Sequence, residues 1–282
     1  MSTAETARIK KFNQFKALHE RSGIFIIPNP WDAGTARILT ALGFEALATT
    51  SAGFAFSVGK RDSAGALSRD DILSNSRAIS AATGLPVSAD LEGGFGDAPE
   101  VCAETIRLAA ETGLAGGSIE DATGDPVKPI HDFQLAVERI AAAAEAARSR
   151  HFLLTARAEN FLYGKPDLDD TIRRLQAFAA AGADALYAPG LPNLSAIREV
   201  CAAVAKPVNV LMGLQGKTYT VAELEAAGVK RVSVGGSFAR AALGGFIRAA
   251  REVKERGTFA YAADAIADKE VSSYMAERKP HA

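Results

Sequence analysis

Histidine, cysteine and tryptophan are scarce in this chain: four, two and one of 282 residues. Two cysteines, Cys102 and Cys201, cannot build a disulfide framework, and no Cys or His pair stands at the short spacing of a zinc site. Both fall on apolar helical stripes, so they are expected as buried, reduced thiols of a cytoplasmic protein. Neither sign of charge is in excess: 32 Lys and Arg against 33 Asp and Glu leave a formal net charge of −1. With no basic block, nucleic acid and anionic membrane are not expected as main partners. No apolar run reaches the roughly 18 residues of a membrane span. The polar and charged residues at the start do not read as a signal peptide. A hydrophobic fraction of 48% and a charged fraction of 23% are ordinary for a globular core.

Short apolar runs alternate with longer helical patterns. The strand candidates are GIFIIP (23–28), EALATTS (45–51), LPVSADLE (85–92), LAGGSIED (114–121), HFLLTARAE (151–159), ADALYAPG (183–190), KPVNVLM (206–212) and KRVSVGG (230–236). They are nearly continuous apolar runs, as in strands buried on both faces. Between them lie amphipathic helices, with Phe133, Ala136, Val137, Ile140 and Ala144 spaced as one helical face, and likewise Leu194, Ile197, Val200 and Cys201. Gly43, Gly113, Gly182 and Gly228 each end such a helix just before a strand, the place of a left-handed cap. Eight βα units predict an α/β protein with a single (β/α)8 TIM barrel over about 22–255. Residues 5–20 predict an extra N-terminal helix, and 256–282 a helical extension that packs elsewhere, one option being exchange between subunits. A doubly wound sheet is the alternative, but the first turn, PNPWDAG, lacks the dinucleotide glycine pattern.

In a barrel, the C-terminal strand ends converge on one mouth. The third strand brings Asp90 and Glu92 there, the fourth Glu120 and Asp121, and the fifth Arg157, Glu159 and Asn160. The second brings Thr49, Thr50 and Ser51, followed by Ala52 and Gly53, and the seventh brings Asn209. Asp90 and Glu92 are two apart in an extended run, so both are expected to face the mouth. Carboxylates crowded in a cleft repel one another unless a cation sits among them. With oxygen donors only, that cation is Mg²⁺ or Mn²⁺ rather than zinc. Asp97, with Glu100 three residues on, reads as a helix cap.

Four segments in this order resemble the isocitrate lyase/phosphoenolpyruvate mutase superfamily. SADLEGGFG is similar to its D-x-D-x-G-Y-G signature, with Glu92 in place of the second Asp; GGSIED is similar to its I-E-D segment. LLTARAENF resembles its A-R-x-[DE] segment, and TTSAGFAFSVGKRDS its S-G-x(n)-G-x-x-D loop, ending on Asp62. The resemblance implies that Asp90 contacts Mg²⁺ and that Glu92 and Glu120 hold waters on it. It implies a carboxylate cradle at the amides of Ser51, Ala52 and Gly53, aided by Arg157, with Asp62 over the reacting centre. It also implies a homotetramer, a dimer of dimers exchanging C-terminal helices.

The chain departs from that pattern as well. The lyases carry a Cys in a K-[KR]-C-G-H loop after the fourth strand, where this chain reads DATGDPVKPIHD. The phosphonate enzymes use a longer gate; here only Lys128 and His131 are on offer, and the sixth strand ends in YAPG. The expected function is a Mg²⁺-dependent carbon–carbon lyase, decarboxylating or retro-aldol, on a small 2-oxo or 2-hydroxy di- or tricarboxylate. Thr50, Ser51, Ala52, Gly53, Arg157 and Asn209 would bind it, and Asp62, Arg157 and Glu159 would serve catalysis. The alternatives are a phosphonate P–C bond enzyme and a non-catalytic carboxylate-binding protein. Of the remaining residues, His19, His131 and His281 read as surface residues, with a substrate contact the alternative for His131, and His151 reads as structural. Asp32 reads as an N-cap, Trp31 fits either packing or a pocket wall, and Tyr163 and Tyr187 fit either packing or a hydroxyl offered to the site, Tyr187 as one option for a base.

Overall fold

The computed structural model describes residues 3–276 apart from Ala64 and Gln215, so His281 lies outside the described residues. Eight parallel strands alternate with helices: β1 (Phe25–Ile27), β2 (Leu47–Ala48), β3 (Val87–Asp90), β4 (Gly116–Glu120), β5 (Leu153–Arg157), β6 (Ala185–Tyr187), β7 (Val208–Leu211) and β8 (Arg231–Ser233). From β2 to β8 each strand pairs with the next in sequence, and β8 returns to pair with β1, which is the circular order of a (β/α)8 barrel. Between β1 and β2 the ring is joined more sparingly. Ala48 N–H donates to Pro28 O at 3.0 Å, and the Asn29 amide donates to Thr49 O at 2.9 Å.

The strands are shorter than the apolar runs. Ser51 already starts a helix, and Glu92 lies past β3 with φ 49°. An N-terminal helix, α1 (Thr3–Glu20), crosses the bottom of the barrel. Its Phe15 is fully buried with Phe25, Ile27, Ala115, Leu153 and Ala185, closing that end with apolar side chains. Burying a residue of that size stabilises by about 1.5–3 kcal/mol. His19, on the same face of α1, is buried rather than solvated, edge-on to Phe15 and Phe25.

The outer layer holds α2 (Ala33–Ala41), α3 (Ser51–Ser57), α4 (Arg69–Ala81), α5 (Pro99–Ala110), α6 (Phe133–Ser149), α7 (Leu168–Ala181), α8 (Leu194–Ala203), α9 (Val221–Ala226) and α10 (Ser237–Arg256). Asp32 caps α2 as expected, through a reciprocal bond pair with Thr35. Asp97 caps nothing: α5 starts on Pro99 with Ala98 as its N-cap and no side-chain bond. A proline at the first turn removes one of the amides a cap would satisfy. The four pre-strand glycines all have positive φ, and Gly182 is itself the left-handed cap of α7.

The extension forms a short 3-10 turn (Ala260–Ala263) and α11 (Asp268–Met275). It lies against α2 of its own chain, where Arg37 donates to Met275 O at 2.8 Å. By contrast α10 buries little beyond Ala239 and leaves Leu243, Phe246 and Ile247 exposed, Phe246 at 69%. Among the described residues, no helix is long and apolar enough to cross a membrane.

Candidate active site

A cavity of about 1250 Å³ opens at the C-terminal strand ends. Arg157, the last residue of β5, stands at its centre. Its Nη1 contacts Asp90 Oδ1 and Glu120 Oε2, each at 3.1 Å, and its Nη2 contacts Glu159 Oε1 at 2.7 Å. The guanidinium lies over the Tyr187 ring, 5.0 Å from its centroid. Asp90 is fixed further: Ser51 Oγ donates to its Oδ2 at 2.9 Å, Ser51 N–H to the same oxygen at 3.3 Å, and the Asp90 N–H donates to Thr49 Oγ1.

One cation does not satisfy these acids. Burial, then the Asp90 and Asp62 charges, push Glu92 up to about 7. Burial drives Glu120 well above the usual carboxylate range, against the pull of Arg157, and it raises Glu159 in the same way. Asp62 lines the same cavity and is raised by burial and by Asp90. The cluster therefore has surplus negative charge in a poorly solvated place, and the donors are all oxygen. Among the described residues, no three Asp, Glu, His or Cys side chains converge closely enough to cage an ion outright. A hard cation that takes one or two carboxylates and keeps its own waters fits such a set; a fully protein-ligated zinc does not.

Several expectations change in detail. Glu92 reaches the cavity through a left-handed turn, not through strand alternation with Asp90. The Gly53 N–H is already taken by Thr50 Oγ1 at 3.3 Å, since Thr50 is the N-cap of α3, and Gly53 does not line the cavity. Thr50, Ser51 and Ala52 do line it. Asn209 lines it too, but its side chain is committed within the barrel, donating to Ser233 Oγ and accepting from Arg231 Nε, each at 2.9 Å. Asp121 and Asn160 turn away from the cavity. Asp121 accepts from the Glu159 N–H at 2.8 Å and pairs with Arg174, and Asn160 donates to Asp170. Behind the cavity wall, Asp121 thereby holds the Glu159 backbone in place.

The loop after β4 is pinned by Thr123 N–H to Pro129 O and by His131 N–H to Asp121 O at 2.8 Å. His131 is buried and borders the cavity, contrary to the surface reading, whereas Lys128 stays exposed. Trp31 packs against Gly53, whose missing Cβ would lie 3.0 Å from the Trp31 Cβ. Cys102 is buried beneath Gly94, and neither cysteine lines the cavity. Arg231, Ser233, Ser88 and Asn29 line it and were not singled out from sequence. Period-two alternation in KRVSVGG would have put Arg231 and Ser233 on one face, had the inward face been known.

Residues 15–254 match the phosphoenolpyruvate phosphomutase family as a whole. The chain belongs to that family, within the isocitrate lyase/phosphoenolpyruvate mutase superfamily. A crystal structure from Burkholderia cenocepacia J2315, provisionally described as a lyase or mutase, is 56% identical. It superposes with a TM-score of 0.93 over 96% of this chain and 98% of that one. The 2-methylisocitrate lyase of Escherichia coli K12 is 30% identical over 224 residues, 76% of this chain and 75% of that protein. A crystal structure of 2,3-dimethylmalate lyase is 25% identical, with a TM-score of 0.83, covering 98% and 96% of the two chains. Glu92 and the cysteine-free loop thus stand in a barrel that has all eight strands.

Proposed function

We propose that the protein is a Mg²⁺-dependent carbon–carbon lyase for a small 2-oxo or 2-hydroxy di- or tricarboxylate, working through an enolate. The observation that carries this is the excess of carboxylates around Arg157 at the barrel mouth, with no cysteine in reach. The relatives named as lyases of methylisocitrate and dimethylmalate support the bond class. Asp90 would hold the ion directly, and Glu92 and Glu120 would hold it through waters. Bound there, it would supply a Lewis acid for charge developing on the 2-oxo oxygen.

The chain's own groups do the rest. The first-turn amides of α3 at Ser51 and Ala52, with Arg157, would orient the substrate carboxylate, the Ser51 N–H turning to it from Asp90 Oδ2. Glu159 fixes the Arg157 fork, so the guanidinium cannot swing toward solvent. Asp62 keeps its proton more readily than a free carboxyl and lines the same cavity as Asp90, so it suits proton delivery to an enolate carbon. Decarboxylation of a 3-carboxy-2-oxo acid needs nothing more. Retro-aldol cleavage also needs a base for the hydroxyl proton, and Glu159 is the nearest carboxylate to Arg157.

The bare apolar face of α10 supports assembly with further copies of the chain, for which the family resemblance suggests a dimer of dimers. The decisive experiment is release of CO₂ and pyruvate from oxaloacetate, and of 2-oxo acids from 2- and 3-alkylmalates, with and without Mg²⁺, on wild type and Asp90→Ala. Metal-dependent release above that of free Mg²⁺, lost in the variant, is the expected result. No release from any of them, with no Mg²⁺-dependent binding of oxalate, would sink the reading.

A further inference from the structure

A cation lies at the bottom of the cavity without an anion. Arg231 opens β8 and is 5% exposed. It shares a hydrogen-bonded row with Asn209, Asn209 with Tyr187, and Tyr187 with Arg157. Residues in one row point to the same face of a sheet, so Arg231 projects into the barrel as Arg157 does.

Three neutral groups hold its guanidinium. Nε donates to Asn209 Oδ1 at 2.9 Å, Nη2 to Thr155 Oγ1 at 3.1 Å, and Nη1 to His19 Nε2 at 3.2 Å. A guanidinium can only donate, so His19 accepts at Nε2 and keeps its proton on Nδ1, which faces Phe15 O at 2.8 Å. Burial and the neighbouring Arg231 hold His19 down at about 3, so it carries no charge. Burial lowers Arg231 to about 10, which leaves it a cation at neutral pH. No Asp or Glu among the described residues pairs with it. A fixed, desolvated charge with no counter-ion is a costly feature for a fold to carry on structural grounds alone.

Space leads down to it. Barrels ordinarily fill this level with bulky Val, Ile and Leu. Here Ala48, Ser88, Ser118 and Ser233 line it, and the cavity continues past the acids to Arg231. Ser88 and Ser118 stand two residues before Asp90 and Glu120 on their strands, so the small side chains form the layer directly beneath the carboxylates. Thr155, which holds Arg231, is two residues below Arg157, roughly 6.6 Å along the strand. A four- or five-carbon diacid can span such a step with one hydrogen bond at each end.

We infer that the cavity floor is a second anion site, in which Arg231, oriented by Asn209 and Thr155, binds the distal carboxylate of the substrate. The inference rests on the lyase reading, which puts the 2-oxo or 2-hydroxy carboxylate end at Arg157 and Asp90. It narrows the substrate class to dicarboxylates, and it makes Arg231 the residue that rejects the corresponding monoacids.

The test is calorimetry in Mg²⁺ with matched probes: (S)-malate against (S)-2-hydroxybutyrate, and 2-oxoglutarate against 2-oxopentanoate, with oxalate as the short reference. Wild type should prefer the diacid in at least one pair by on the order of 100-fold. Arg231→Met should cut that preference at least tenfold while oxalate affinity holds, and Arg231→Lys should fall between. Equal weakening of diacid and monoacid, or none, would mean that Arg231 only packs the barrel. Should Arg231→Met not fold, a wild-type preference below about threefold, or an Arg231→Lys variant indistinguishable from wild type in both pairs, overturns the inference. Failure of oxalate to bind wild type in Mg²⁺, together with no lyase turnover, is the separate result that removes the lyase reading, and the floor site with it.

Discussion

Arg139 tests whether the acid loop is held from behind. This residue of α6 is 1% exposed, and its guanidinium points at the loop after β3. Nη1 donates to Gly96 O at 2.5 Å and to Asp97 O at 2.7 Å, and Nη2 donates to Gly93 O. Its Nε has no partner among the described residues. The loop so held contains Glu92 at φ 49° and Phe95 at φ 66°, and non-glycine residues in that region cost about 1–3 kcal/mol each. Arg139→Met keeps the stem and removes the head. A hydrogen bond to a charged donor contributes about 1.5–3 kcal/mol, and relief of burying an unpaired charge offsets part of the loss of three. The net expectation is a destabilisation of about 2–4 kcal/mol in urea unfolding. A fall of tenfold or more in Mg²⁺-dependent oxalate affinity should accompany it, as Glu92 loses its placement. Arg139→Lys should restore only part, because an ammonium cannot fork between carbonyls. A Met variant within about 0.5 kcal/mol of wild type, with unchanged oxalate affinity, would refute the reasoning.

Two further outcomes follow from the same site. Glu92 is raised to about 7 from the usual 4.5, so its contribution to the metal-free protein is full below 4.5 and is lost as pH rises through 7. In EDTA, thermal melts from pH 5 to 8 should show a falling midpoint that Mg²⁺ or Glu92→Gln flattens; a slope unchanged by both would contradict this. Burial raises both thiols, Cys201 to about 11. A thiol reagent at pH 8 should therefore label neither within minutes until the protein is unfolded. The doubly substituted Cys102→Ala/Cys201→Ala protein should keep its turnover, and a hundredfold loss of kcat would point to a cysteine acid after all.

The barrel was legible because both its signals are local. Apolar runs mark strands, and Gly43, Gly113, Gly182 and Gly228 mark helix ends. Most of the acid cluster was legible for the same reason, since strand ends fix where Asp90, Glu120 and Arg157 stand. What stayed hidden depends on partners far away in sequence. His19 reads as a solvated helix residue until α1 docks under the barrel and meets Arg231, 212 residues on. His131 is buried because its loop folds back on Asp121. Glu92 reaches the cavity by a turn whose positive φ no composition rule assigns to glutamate. The committed amide of Gly53 follows from Thr50 turning out to be a cap.

The sparse join between β1 and β2 gives the ring a clasp. Seven interfaces are strand ladders, while this one rests on a single backbone bond and the Asn29 amide. The same Asn29 accepts from the N–H groups of Val234 and Gly235, at 2.9 and 2.8 Å, so one side chain ties the ends of β1, β2 and β8 together. Circumferential load on the barrel is borne least at that point, and parting it breaks few bonds. The mechanical weak point thus stands next to α3, on the flank of the mouth where Thr50, Ser51 and Ala52 meet the cavity, and across the ring from the fifth and sixth strands, which end in Arg157 and Tyr187.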